Sequence, residues 1–174
     1  MFLEGASAEF HGFFERHCAE LARLAYLLTG DAAAADDLAA DALVAIRHRW
    51  DRLRRAGDPL ACARGVVADM ARKSVRGTAR ERRRVASFRA ESAERGGGPD
   101  VTCVMDVRTA LGRLPFRRRT CVVLRCAFDL SEEDTALALG ISPGTVRRRT
   151  SKGLAELERL LGAGVFGEPV ERRS

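Results

Sequence analysis

Apolar residues recur in steps of three and four along most of the chain. The first stripe, Phe10, Phe13, Phe14, His17, Leu21, Leu24 and Leu28, predicts an amphipathic helix that stops near Thr29-Gly30, with residues 1–9 as a frayed lead. Asp31 is placed to cap a second helix running to about Trp50, with Leu38, Ala42, Ala45, Ile46 and Trp50 inward. After a polar break, Asp58-Pro59 opens a third helix, lined by Ala63, Val66, Val67, Met70 and Ala71. The aspartate can accept an orphan backbone N–H there, and proline loses nothing at the first helical position. Val104, Val107, Leu111 and Leu114 give a helix halted by Pro115, and a further helix is expected over Arg117 to Phe128.

Between these groups, Gly96-Gly97-Gly98-Pro99 breaks the pattern. Each glycine costs about 1 kcal/mol relative to alanine inside a helix, so this stretch reads as a linker. The predicted fold class is all-α, two small helical domains joined by a flexible linker. The boundaries are 1–85 for the first domain, 86–101 for the linker, 102–164 for the second domain and 165–174 for a tail.

The most informative pattern is Leu130 to Leu157. Ser131 can cap a short helix with Asp134 three residues on, and Ala136, Leu137 and Leu139 give that helix an apolar side. Gly140 can end it in the left-handed backbone that glycine adopts cheaply. Ser142-Pro143 starts the next helix, on which Val146, Thr150, Leu154, Leu157 and Leu161 should face the core. Ser142, Thr145, Arg147, Arg148, Arg149, Ser151 and Lys152 lie on or beside its other faces. Two capped helices around a tight turn form a helix-turn-helix. Hydroxyls and guanidinium groups on its second helix are what a major-groove reader uses for guanine edges and phosphates. The structural alternative is a solvated basic face on an ordinary helix.

Charge sharpens this reading. The net charge of +6 is concentrated in residues 58–90 and 111–153, with a mildly acidic stretch between, as expected for two contacts with a polyanion. Asp36, Asp37 and Asp41 instead gather near the start of the second helix, where they complement its dipole or offer an acidic docking face. The five cysteines form no CxxC and no zinc-like spacing with histidine, which fits free thiols in a reducing compartment. No secretory leader and no membrane-spanning run is evident, so a cytoplasmic location without membrane insertion is expected. No nucleophile–base pair stands out, and neither an enzyme nor a metal or cofactor is expected.

Taken together, these segments resemble an extracytoplasmic-function (ECF) sigma factor of bacterial RNA polymerase, in the sigma-70 family. FFERHCAELARLAYLLTGDAAAADDLAADALVAIRHRWDRL is similar to the start of sigma region 2, and DPLACARGVVADMARKSVR to its promoter-melting part. LGRLPFRRRTCVVLRCAFDLSEEDTALALGISPGTVRRRTSKGLAELERLL is similar to region 4. The resemblance implies that Asp36, Asp37, Leu38, Asp41, Ala42 and Ile46 belong to the surface docking on the polymerase β′ clamp, with the β flap as a second contact of the core enzyme. It implies that Arg52, Arg54, Arg55, Asp58, Asp69, Arg72, Lys73 and Arg76 serve minus-ten recognition and melting of promoter DNA. Ser142, Thr145, Arg147, Arg148, Arg149, Ser151 and Lys152 would read the minus-thirty-five element. An anti-sigma factor is a family-level expectation, and the sigma factor itself catalyses nothing.

Three positions depart from the family's usual pattern: Cys62 where it has Trp, Asp69 where it has Asn, and Ala40-Asp41 where it often has Gln-Glu. They keep open a sigma-like protein that binds polymerase without melting promoters. A non-initiating helix-turn-helix regulator is the other alternative.

Overall fold

The computed structural model describes residues 2–55, 57–90 and 106–162, without the side chains of 2–6 and 87–90. Among the described residues the regular structure is entirely helical: α1 (Phe2–Thr29), α2 (Ala32–His48), α3 (Trp50–Leu53), α4 (Pro59–Ala90), α5 (Val107–Arg113), α6 (Phe116–Val122), α7 (Glu132–Leu139) and α8 (Pro143–Leu161). A π-helical turn, Val123–Ala127, follows α6 directly. Helix α1 begins at Phe2, so the expected lead is helical, and α4 runs past residue 85 to Ala90. The remainder of the linker and the C-terminal tail lie outside the described residues.

The helix starts follow from their caps. Asp31 accepts from the Ala34 N–H at 3.2 Å and Asp58 from Ala61 at 2.8 Å. Ser131 accepts from Asp134 at 2.9 Å, and Ser142 from Thr145 at 3.3 Å. Each bond satisfies one of the N–H groups that a helix start leaves without a partner.

Helices α1, α2 and α4 pack around Leu21, Leu24, Leu28, Ala42, Ile46 and Val67, all fully buried. Trp50 closes one end, its ring 5.4 Å from Phe10 and 5.0 Å from Phe13. In the second half, α5, α6 and α8 enclose Ala110, Leu114, Leu124 and Leu157, and α7 lies against α8 and the π turn. The helix expected over Arg117 to Phe128 is therefore two pieces. The π turn leads to Asp129 at φ 49°, a left-handed backbone that aspartate tolerates better than most residues.

The two halves pack directly on each other. Helix α7 lies across α4, and the C-terminal part of α1 meets α5, α6 and the π turn. At the α4–α7 crossing a Cβ on Gly65 would fall 2.4 Å from the Ala138 carbonyl oxygen, so only glycine permits this approach. Arg119 on α6, 6% exposed, donates to the Leu28 carbonyl oxygen of α1 at 2.6 Å. It also donates to the carbonyls of Gly112 at 2.7 Å and Leu114 at 3.3 Å. Burial pushes this guanidinium below its ordinary pKa range, a direction set by desolvation of the charged form. Arg108 reaches the Tyr26 hydroxyl at 3.1 Å, and Arg23 stacks over Phe128 at 5.3 Å.

Two outcomes test this junction. Arg119→Ala should lower unfolding stability by about 3 kcal/mol, the upper range for hydrogen bonds to a charged donor, as measured by urea denaturation. Gly65→Ala should favour the helix itself by about 1 kcal/mol. It should nonetheless raise the radius of gyration in small-angle scattering, because the new methyl meets backbone across the α4–α7 crossing.

Candidate nucleic-acid interface

Helices α7 and α8 are joined through Gly140, whose φ of 62° ends α7 in the left-handed conformation the sequence predicts. Ile141 donates its N–H back to the Ala136 carbonyl at 3.1 Å, which tightens the turn. Val146 and Leu157 anchor α8 in the core. Leu137 departs from expectation: it is 63% exposed, because the inner side of α7 is formed by Thr135, Ala136 and Ala138.

The predicted reading residues divide by this geometry. Ser142, Arg147, Arg148, Ser151 and Lys152 are exposed along α8 and its start. Thr145 is half-buried, its hydroxyl 2.9 Å from that of Ser142. Arg149 is also half-buried and turns toward the cleft between the halves, where it lowers the pKa of Cys121 against the larger upward push of burial on that thiol. Arg147 is bound by a carboxylate of its own chain. Its Nε lies 3.1 and 3.0 Å from the two oxygens of Glu132, and its Nη2 lies 2.8 Å from Oε2. Hydrogen bonding from Arg147 holds the Glu132 carboxyl below its usual range, and the pairing raises Arg147 in turn.

The residues assigned to minus-ten recognition fall in two groups. Arg52, Arg54 and Arg55 are exposed on and after α3. Arg54 pairs with Glu9 at 3.0 Å and Asp51 at 3.2 Å, and the Arg55 Nε donates to the Asp51 carbonyl at 2.7 Å. Asp58 is engaged as the cap of α4. Further along α4, Lys73 and Arg76 are exposed, and Asp69 pairs with Arg72 at 3.0 Å. Asp69, Arg72 and Cys62 line the cleft of about 610 Å³ between α4 and the second half, opposite Leu137 and Arg149.

On α2, Asp36, Asp37 and Asp41 are exposed. Leu38, Ala42 and Ile46 are in the core, because they occupy the opposite side of the same helix. They hold the acidic face in place from beneath and are not part of its surface. Beside that face, α1 and α2 leave an apolar groove of about 560 Å³ lined by Phe10, Phe14, Cys18, Ala39, Leu43 and Val44, with Asp36 and Arg47 at its edge. The exposed Val44, at 55%, was not singled out by sequence reasoning, although its place among α2's apolar residues carried a signal. The Glu132–Arg147 pair gave no signal, since its partners are on different helices.

Among the described residues, no helix is long and apolar enough to cross a membrane. Residues 105–157 match the family described as Sigma-70, region 4. The chain is 30% identical over 154 residues to the ECF RNA polymerase sigma factor SigL of Mycobacterium tuberculosis, covering 82% of this chain and 83% of that protein. It is 29% identical over 163 residues to SigM of the same organism, covering 88% of this chain and 77% of that protein. Among solved structures, it is similar to CnrH in complex with the cytosolic domain of CnrY, with a TM-score of 0.63, 25% identity and coverage of 91% and 93% of the two chains. The sigma factor RpoE of Bartonella quintana, in complex with the anti-sigma factor NepR, shares the fold with a TM-score of 0.65 at 22% identity, over 90% of this chain and 98% of that one. Two capped helices around a tight turn, packed on a helical half that carries an acidic face and a basic helix, agree with these likenesses over most of the chain, and the protein belongs to the ECF RNA polymerase sigma factors.

Proposed function

We propose that this sigma factor directs promoter-specific initiation by reading a minus-thirty-five element with α8, docking on core polymerase through the acidic face of α2, and engaging the minus-ten element with α3, the following loop and α4. The observation that carries the reading is the exposed row Ser142, Arg147, Arg148, Ser151 and Lys152 on a helix whose opposite face is locked in the core. A helix fixed in this way can enter the major groove as a rigid unit, with Arg for guanine edges and hydroxyls or Lys for phosphates.

For the first half, Asp36, Asp37 and Asp41 supply a negative surface beside an apolar groove. That combination suits a partner helix with basic and apolar faces, as the β′ clamp would present. The cationic residues Lys73 and Arg76 on α4 suit phosphates flanking a melted segment. Asp69 and Arg72 line the cleft beside α7, and the Asp69 side chain is exposed at its mouth. We further propose an anti-sigma partner, since the similar sigma factor RpoE was solved in complex with the anti-sigma factor NepR.

The direct test is run-off transcription from a genomic promoter library by bacterial core RNA polymerase supplemented with the protein. Transcripts sharing a minus-thirty-five and a minus-ten motif are expected. Co-elution with core but no transcript would instead favour a polymerase-binding protein unable to melt DNA and would direct attention to Cys62 and Asp69. Binding to duplex DNA without core would favour a free regulator.

Replacing Arg147 and Arg148 with Ala should cost about 1–3 kcal/mol for each bidentate arginine–base pairing removed, read as reduced discrimination at the minus-thirty-five element. Reversing Asp37 and Asp41 to Lys should weaken core binding, so less of the variant should co-elute with polymerase. Equal co-elution with the wild type would remove α2 as the docking face.

A further inference from the structure

The reading helix contains an asymmetry that its sequence does not show. Arg147 is 74% exposed at its side chain, yet it is held by Glu132, only 22% exposed, from the first turn of α7. Exposed arginines ordinarily sample many rotamers, and a single surface ion pair contributes little to stability. Here the consequence lies in which donors are used. A guanidinium carries five N–H donors along two edges. Glu132 takes the side edge, with its oxygens 3.0 and 3.1 Å from Nε and 2.8 Å from Nη2. Nη1 and the outer hydrogen of Nη2 remain as the end edge, whose parallel fork matches the O6 and N7 acceptors of guanine.

We propose that Glu132 is a positioning residue that fixes Arg147 with its end edge presented to the major groove, making Arg147 a guanine reader and limiting its use as a phosphate contact. The proposal rests on α8 being the minus-thirty-five reader and adds which of its residues sets specificity. Two physical effects support it. Fixing the rotamer before binding removes part of the ordering cost that a free arginine incurs on the DNA. Neutralising the charge locally reduces the sequence-independent attraction to phosphate, so discrimination increases relative to bulk affinity. Arg148 and Lys152 have no ion-pair partner among the described residues and remain available for phosphates. Glu132 is near Arg125 as well, which helps keep its carboxylate ionised while Arg147 is bound.

The test uses holoenzyme assembled from core polymerase and the full chain, on templates selected with the wild type and then randomised across the minus-thirty-five element. Arg147→Ala should abolish the preference for guanine at one base pair. Glu132→Gln, nearly isosteric and therefore unlike a truncation of α7, should weaken preference at that same base pair by about tenfold. Arg147→Lys, which keeps the charge but loses the fork, should do likewise. Glu132→Gln combined with Arg147→Ala should match Arg147→Ala alone, because a positioning residue has nothing left to position. In duplex binding without selection for sequence, Glu132→Gln should steepen the dependence of log affinity on log salt by ~0.9, the effect of one more cation free to neutralise phosphate. If Glu132→Gln keeps the preference that Arg147→Ala loses, Arg147 reads unaided and the proposal is overturned. If Arg147→Ala and Arg148→Ala together leave every preference intact, α8 is not the reader, and it is the underlying functional reading that fails.

Discussion

The buried guanidinium of Arg119 is the contact on which the relation between the two halves depends. A cation removed from water needs partners for its donors, and the two terminal nitrogens of Arg119 find them in carbonyls from the C-terminal end of α1 and from the end of α5, while its Nε has no hydrogen-bond partner among the described residues. These are helix ends, where carbonyl groups lack partners within the helix and where the dipole favours positive charge. The guanidinium therefore satisfies two helix termini from opposite halves at once. Gly65 complements it at a distance: the α4–α7 crossing brings a helix side chain position within 2.4 Å of a backbone carbonyl, which sets how closely the second half can settle. One contact is polar and the other steric, and each leaves little latitude for the other.

This junction sorts the basic residues by function more sharply than net charge could. The chain carries 30 lysines and arginines, and their linear density suggested two broad polyanion contacts. In three dimensions, Arg119 is structural, Arg64 is tied to Glu20 at 2.6 Å, and Arg149 turns toward the cleft. Arg148, Lys152, Lys73 and Arg76 are exposed, where a polyanion could meet them. Arg147 stands between these classes, exposed but paired.

Much of the fold was legible because its signals are local. The caps at Asp31, Asp58, Ser131 and Ser142 each bind a backbone N–H within a few residues, and the turn at Gly140 is set by its own dihedral angle. Periodicity placed Leu38, Ala42 and Ile46 inward, but the functional assignment grouped them with the exposed aspartates beside them. A surface inferred from a contiguous segment includes the residues that support it, because a helix brings every side of itself into one run of sequence. The π turn after α6 was not legible, since a single extra residue per turn leaves the apolar pattern of Val122, Val123 and Leu124 unchanged. Arg119 was not legible either: in RRRT it has the same local surroundings as Arg117 and Arg118, and only the packing of α1 against α6 makes it different.

The same distinction applies within the reading helix. A sequence-specific DNA contact requires both attraction and restriction, and those demands oppose one another in a flexible cation. An unpaired Arg or Lys maximises attraction because every phosphate satisfies it. Pairing with Glu132 gives up part of that attraction and confines the remaining donors to a direction that only certain base edges can meet. The carboxylate that does this comes from α7, the helix that also meets α4 across the interdomain cleft. Helix α7 thus has one side engaged in the packing of the two halves, while its first turn holds the Arg147 guanidinium of α8 through Glu132. Its eight residues connect the closed arrangement of the halves to the orientation of a single guanidinium on α8.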